Sequence, residues 1–463
     1  MTASKNPTSV KRFEPMAFSV RLILPFFLLV IVSTFTACEK EASNENEEKE
    51  KILTHEDSLA LGLIHENPSD TTTTQPNPPT PPANTTEATI DNIIYILNED
   101  NHTAKVGGVD VEDTKSIVIP ESVHYNGKEY PVVAICSGAF YYNNKIEKVK
   151  INGENLKVIE SMAFAKCFRL DDINFPNSIT EISHYAFHNC GLDGSISLPK
   201  SLITIGRAAF RVCPLKSVVF PDNLETIGDE AFYSTSLEDI TIPKVRNIGN
   251  YAFQNCASLK SVKIQSGLEK IGEKAFENCR QIKEVFIPKE IQTIEEDAFA
   301  NCVSISKVMV EDVSSWCHLS LPNSAANPLI HGGRLYTFEH EEISEIVLPE
   351  DISSVGKYVF AECKSLKKVT IPENISVVGY GAFIGCNNME FLSLSKNISE
   401  IENHAFDGCK ISDIYCYATK VPKTGSLSFY GGESRVTLHV PYQSISLYRA
   451  VEPYKYFGSI VGL

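Results

Sequence analysis

The sequence lacks the residue spacings that usually announce chemistry. None of its 13 cysteines form a C-x₂₋₄-C pair, so a compact zinc site is not expected. No phosphate loop, dinucleotide fingerprint or G-x-S-x-G elbow occurs in a convincing strand-turn-helix context. Basic clusters are also missing, and with a net charge of -16 a nucleic-acid partner is not expected, because phosphate binding is carried by grouped Lys and Arg. Only one long apolar run exists, Leu22 to Ala37, and it is short for a membrane span and broken by Pro25.

What the chain has instead is recurrence. Ala-Phe pairs end at Phe140, Phe164, Phe187, Phe210, Phe232, Phe253, Phe276, Phe299, Phe383 and Phe406, with Val359-Phe360 as a variant. Most steps are 21 to 24 residues, and one gap of 61 separates Phe299 from Phe360. A period in that range, with apolar residues at fixed offsets, predicts a leucine-rich-repeat-like solenoid: a parallel β-sheet on one face, with short helical or irregular turns on the other. The unit reads I-G-x-x-A-F-x-x-C-x-x-L-x-x-V-x-I-P, as in Ile271 to Pro288, and its "IKEVFIP" stretch alternates like a strand. Eleven such units at strand spacing make a rod roughly 50–60 Å long, with a core that no single repeat can close.

Cysteine stands three places after Phe at 167, 190, 213, 256, 279, 302, 363, 386 and 409, while Asn143 and Thr235 break the column. A small group with a weak donor suits a buried carbonyl at a tight corner, so reduced, buried thiols are expected. The side chains of stacked coils run parallel, which keeps their Cβ atoms wider apart than a disulfide requires.

The termini read differently. Lys5, Lys11, Arg12 and Arg21 precede the apolar run and "FTAC", so residues 1–37 are expected to be a secretory signal. "FTAC" resembles a bacterial lipobox, with Phe35 where Leu is usual. That resemblance implies lipidation of Cys38; cleavage at an Ala-type site or a retained membrane helix are the alternatives. Residues 38–88, acidic and then Pro/Thr-rich, are expected to be a disordered stalk. Residues 89–135 read as a β-rich N-terminal cap, 136–416 as repeats with an insert at 311–352, and 417–463 as a C-terminal cap. In that last segment a strand to Val440 precedes a short helix bearing Tyr442, Tyr448 and Tyr454. By length the insert is one extra unit, expected as a β excursion.

Together these features resemble the BspA-like leucine-rich repeat proteins of Bacteroidetes. The likeness extends to the ending "VPYQSISLYRAVEPYKYFGSI" and to the insert with its "NPL" at Asn327 to Leu329. It implies a surface lipoprotein of the outer membrane that takes part in adhesion, binding a protein or glycan partner. Acidic residues after Cys38 resemble a surface-export signal, and "DTT" at Asp70 to Thr72 resembles an O-glycosylation motif. The alternative is a scaffolding repeat protein on the periplasmic face.

Candidate chemistry is thin. His184 and His188 lie four apart in "HYAFH", which lacks the Glu of a zinc protease helix, and His188 reads as a solvated coil residue. Cys317 and His318 are adjacent, which does not by itself give nucleophile and base geometry. No catalysis, metal or cofactor is expected. Binding is expected on the sheet, whose outward positions are mostly polar, as at Asp239, Thr241, Ser261 and Lys263. Apolar exceptions are Val219, Phe286, Met309, Val347, Phe391 and Tyr415. Phe286 and Met309 share one column, and with Val347 and Trp316 they form the candidate ligand-binding set, unless the insert folds back over them.

Overall fold

A computed structural model describes residues 84–111 and 113–463, so the expected signal, Cys38 and most of the stalk lie outside the described residues. The first strand, Thr85–Ile90, pairs antiparallel with Ile93–Asn98. Residues 85–88 therefore belong to the cap sheet rather than to the stalk. Thr103–Val109 and Lys128–Ile135 follow, and from there the sheet runs on through two-residue parallel strands, one per coil, to Thr293–Ile294.

Each coil adds a two-residue strand, a corner and a longer strand. The corner carries the Ala-Phe pair, and its backbone forms a ladder of its own. In one coil the N–H groups of Lys274, Phe276 and Asn278 donate to the carbonyls of Glu296, Ala298 and Ala300 in the next, at 2.9–3.0 Å. Pointing all three the same way requires a left-handed backbone two residues either side of Phe, with φ 52° at Lys274 and 62° at Asn278. Asn tolerates that region, and it recurs there at Asn189, Asn255 and Asn301. This is a corner signal additional to the cysteine.

Inside, the phenylalanines stack. Ring centroids from Phe140 through Phe299 lie 4.9–5.5 Å apart and nearly parallel. A second stack runs Phe360, Phe383, Phe406, Phe429. Phe429 falls 23 residues after Phe406 but follows Ser428, which hid it in sequence; it carries the repeat into the segment expected as cap. Aromatic contacts of this kind add about 0.5–1.5 kcal/mol each beyond burial.

The insert is only partly β. Val313–Cys317 is a helix capped by Asp312, and Ser324–Ala326 is a 3₁₀ turn at the corner, where Phe299 N–H donates to Ala325. Arg334–Thr337 then extends the sheet beside Lys307–Val310, and the chain turns back to Glu345–Val347, which begins a new sheet with Lys368–Ile371. The expected β excursion is thus a rebuilt coil with a helix, followed by a hairpin. Asn327, fully buried, joins it to the next coil: its amide donates to the carbonyls of Tyr358 (2.7 Å) and Val359 (3.2 Å) and accepts from Leu329 N–H.

At the C-terminus the three tyrosines do not share one helix. Tyr442 and Tyr454 lie in 3₁₀ turns, Tyr448 in the helix Ile445–Arg449, and the chain ends in the strand Ser459–Gly462. Arg449 Nη2 donates to the Ile460 carbonyl of that last strand (3.2 Å), and its helix guards the exposed edge.

The longer strands do not form one sheet. Besides the break at the insert hairpin, the ladder is interrupted between Asp172–Ile173 and Gly194–Ser197, and between Leu215–Val219 and Asp239–Ile242. Both breaks follow a coil with Phe at the last inward strand position, Phe175 or Phe220, where other coils have residues such as Ile242, Ile264, Ile287 or Ile371. The larger rings turn edge-on to the stack, Phe175 5.7 Å from Phe187 and Phe220 5.4 Å from Phe232, and lift the strand away. On the side of the Asp172–Ile173 strand away from the first break, the Asn174 side-chain amide bonds both backbone groups of Ile151 in the preceding coil. Phe220→Ile is expected to close the second break. Hydrogen exchange of the Asp239–Ile242 amides should then slow about tenfold, and unchanged exchange would show that the ring is not the cause.

Candidate binding face

The cysteine column is structural. Cys167, Cys190, Cys213, Cys256, Cys279, Cys302, Cys386 and Cys409 each donate S–H to the carbonyl of a Phe one coil back, at 2.9–3.2 Å. That carbonyl also accepts the N–H three residues on in its own coil, from Cys or, after Phe140 and Phe232, from Asn143 and Thr235, so the thiol uses its second lone pair. Thr235 stands at the same position, but its hydroxyl bonds Phe232 O of its own coil rather than a Phe one coil back. All described cysteines are free thiols, including Cys136, Cys317 and Cys416. Burial pushes Cys213, Cys302 and Cys363 up to about 12.

His188 is not solvated. It is 1% exposed, edge-on to Tyr185 at 5.8 Å, and neither ring nitrogen has a hydrogen-bond partner. Its place in the turn after Phe187 aims the side chain inward, and burial, with Arg211 and Lys166 nearby, lowers its pKa to about 3. His184 is exposed and accepts Arg207 N–H at 2.9 Å, so the two imidazoles serve separate surroundings.

The Cys317 thiol is buried and pushed up to about 12, while His318 bonds the Ser314 carbonyl (2.8 Å) and lies 3.5 Å from Asp351. This arrangement closes a helix end and supplies no activated nucleophile. Among the described residues no group of three His, Cys, Asp or Glu side chains could hold a metal, and no helix is long and apolar enough to cross a membrane.

On the sheet face, register places Phe286 beside Met309 and Met309 beside Tyr336. The hairpin folds back so that Phe338, 57% exposed, meets Phe286 at 5.5 Å. Lys307 lies over the Tyr336 ring at 5.0 Å and contacts His340 at 2.7 Å. Phe286 and Met309 are therefore half-covered, and the patch gains two insert aromatics. Val347 is 68% exposed but belongs to the next sheet, so no register joins it to them. Trp316 is 1% exposed and packs in the core, because its helix presents that side inward; it offers a ligand no surface.

A second aromatic row was only partly visible in sequence. Lys368 lies over Phe391 (5.3 Å), Phe391 meets Tyr415 (5.3 Å), and Tyr415 stacks on His439 at 4.1 Å. His439 Nε2 lies 3.4 Å from Asp413. The signal for His439 was its outward place in "LHVP", the last repeat-like strand before the cap.

These stacked coils, one-sided sheet and ladder-bonded corners define a leucine-rich-repeat solenoid. The chain belongs to the BspA-type family: the sequence profile of the BspA type leucine rich repeat region (6 copies) matches residues 113–194, 133–245, 192–306 and 334–449. A leucine-rich repeat protein from Bacteroides ovatus has the same fold, at 24% identity over 80% of this chain and 98% of that one, with a TM-score of 0.52. A leucine rich cell surface protein from Faecalibacterium prausnitzii aligns at 22% identity over 81% and 94%, with a TM-score of 0.37. No curated protein matches the chain. Solenoids of this kind are in general non-catalytic interaction folds.

Cys279→Ala is expected to cost about 1–2 kcal/mol in urea unfolding, a hydrogen bond plus a small cavity, and Cys279→Thr less, since it fills the space and its hydroxyl finds a corner carbonyl, as Thr235 does in its own coil. Equal losses would separate the column from its hydrogen bonds. For His188 the unfolded chain takes up a proton near pH 6.5 while the folded chain resists until about 3. Its contribution is thus complete above pH 6.5 and is lost at about 1.4 kcal/mol per pH unit below. His188→Leu should flatten unfolding free energy between pH 6 and 4; an unaltered slope would show that His188 is not the group responsible.

Proposed function

We propose that this chain is a non-enzymatic lipoprotein of the outer membrane, anchored through Cys38 and exposed at the cell surface, that binds a protein or glycan partner through its sheet face. The observation that carries the reading is the row Phe286, Met309, Tyr336 with Phe338 set across it. Four neighbouring aromatic or thioether side chains stand together on a mostly polar face, held in register by the sheet and partly open to solvent. Clusters of this kind supply the rigid anchors of interaction surfaces. The acidic and Pro/Thr-rich stretch after Cys38 would act as a tether holding the solenoid clear of the membrane.

Two experiments test the parts separately. Protease applied to intact cells should remove the wild-type protein, while Cys38→Ala should be spared; a protected wild-type chain would place the protein on the periplasmic side, as a scaffold. In solid-phase binding of the intact chain to immobilised matrix proteins and arrayed glycans, Phe286→Ser/Met309→Ser should bind at least about tenfold more weakly than wild type. Equal binding would remove the patch from the interface.

A further inference from the structure

A cleft of about 680 Å³ opens where the strands Lys368–Ile371 and Phe391–Leu394 leave the sheet face, and Tyr417 from the following coil overhangs it. Its polar lining is supplied by Glu350, Glu373, Asn374, Ser393 and Lys396. We infer that this cleft is an oligosaccharide-binding site, with Tyr417 as the stacking ring and Glu373–Lys396 as the group that chelates neighbouring sugar hydroxyls. The inference rests on the partner-binding reading above and narrows it to a ligand class and a place.

Three features argue for a sugar. The Tyr417 side chain is 47% exposed although its backbone is fixed, its N–H bonded to Leu394 O at 3.0 Å. A ring held this way offers an apolar face with a polar tip, which matches the mixed character of a pyranose. The Lys396 ammonium and Glu373 carboxylate stand 2.8 Å apart, a donor and an acceptor set side by side. Adjacent ring hydroxyls, each both donor and acceptor, can engage such a pair together, whereas a peptide backbone has no such vicinal groups. Asn374 spends its amide hydrogens on the carbonyls of Pro349 (3.0 Å) and Ile352 (2.6 Å), so the side chain is already oriented before a ligand arrives.

The competing reading, a protein hot spot, calls for a deep apolar pocket that buries an aromatic or aliphatic anchor. This cleft is open, with Ile371, Pro372 and Tyr417 as its apolar part and Glu350, Glu373 and Lys396 as its charged part, and its volume falls in the range of small-ligand sites. Ser393 lies in register between Thr370 and Tyr415, so the cleft continues onto the row of Phe391, Tyr415 and His439 and leaves room for a chain of several sugar units along the face.

Titration calorimetry on the intact chain, with cellohexaose, xylohexaose, maltohexaose and chitohexaose as probes, tests this. At least one probe should bind saturably; Tyr417→Ala should weaken it about tenfold or more, Tyr417→Phe by less than about threefold, and Glu373→Ala/Lys396→Ala about tenfold. The affected side chains are exposed, and an unchanged thermal midpoint in each variant confirms folding. Saturable binding by none of the four probes overturns the inference, as does binding that survives both Tyr417→Ala and the double variant. Should sugars fail while Phe286→Ser/Met309→Ser still weakens a protein partner, the partner-binding reading stands and only the cleft assignment falls.

Discussion

The structure depends on a corner whose ring and thiol need a neighbouring coil. In most coils the backbone turns sharply around Phe, whose buried carbonyl accepts an N–H of its own coil and, on its second lone pair, the cysteine thiol of the following coil. The Phe ring above it is covered only by the next ring in the stack. The ring and the thiol find their partners only in an adjacent coil, so coils are stable only in series, and the burial that stacking completes enforces the period. Where the period fails, at the insert, Asn327 joins the coils differently, its side-chain amide donating forward to the Tyr358 and Val359 carbonyls.

That interior constraint leaves the outer face free to vary. Because inward positions are fixed by the stack, the alternate residues of each strand carry no packing duty, and they range from Asp239 to Phe286 to Lys368. The sheet spacing then turns a one-dimensional choice of residues into rows. Phe286, Met309 and Tyr336 meet because they occupy matching places in successive coils, as do Tyr415 and His439. Irregularity on this face also has identifiable causes, two phenylalanines in an isoleucine position and one hairpin, and each is accompanied by a local opening or covering of the surface.

Much of this was readable beforehand for a physical reason. A period near 23 residues with Ala-Phe and Cys at fixed offsets admits few arrangements, so the stack, the free thiols and the parallel strands follow from spacing. Readings that failed did so where local pattern and tertiary burial diverge. His188 looks polar and loop-borne, but the left-handed corner turns it inward. Trp316 sits beside an apolar patch in sequence, yet a five-residue helix rotates it into the core. Phe429 was hidden by a serine in place of alanine, although the Ser428 carbonyl accepts Phe406 N–H as the alanine carbonyls do elsewhere and its ring stacks on Phe406.

The sequence by itself determined the solenoid, its approximate coil count, the chemistry of its core and the family to which it belongs, because repetition writes the same contact many times. Tertiary structure alone decided which outward residues become neighbours, how the insert covers Phe286, where the sheet parts and which cleft Tyr417 overhangs. Those outcomes turn on side-chain volume and strand displacement between coils more than 20 residues apart in sequence, and such distances do not follow from residue spacing.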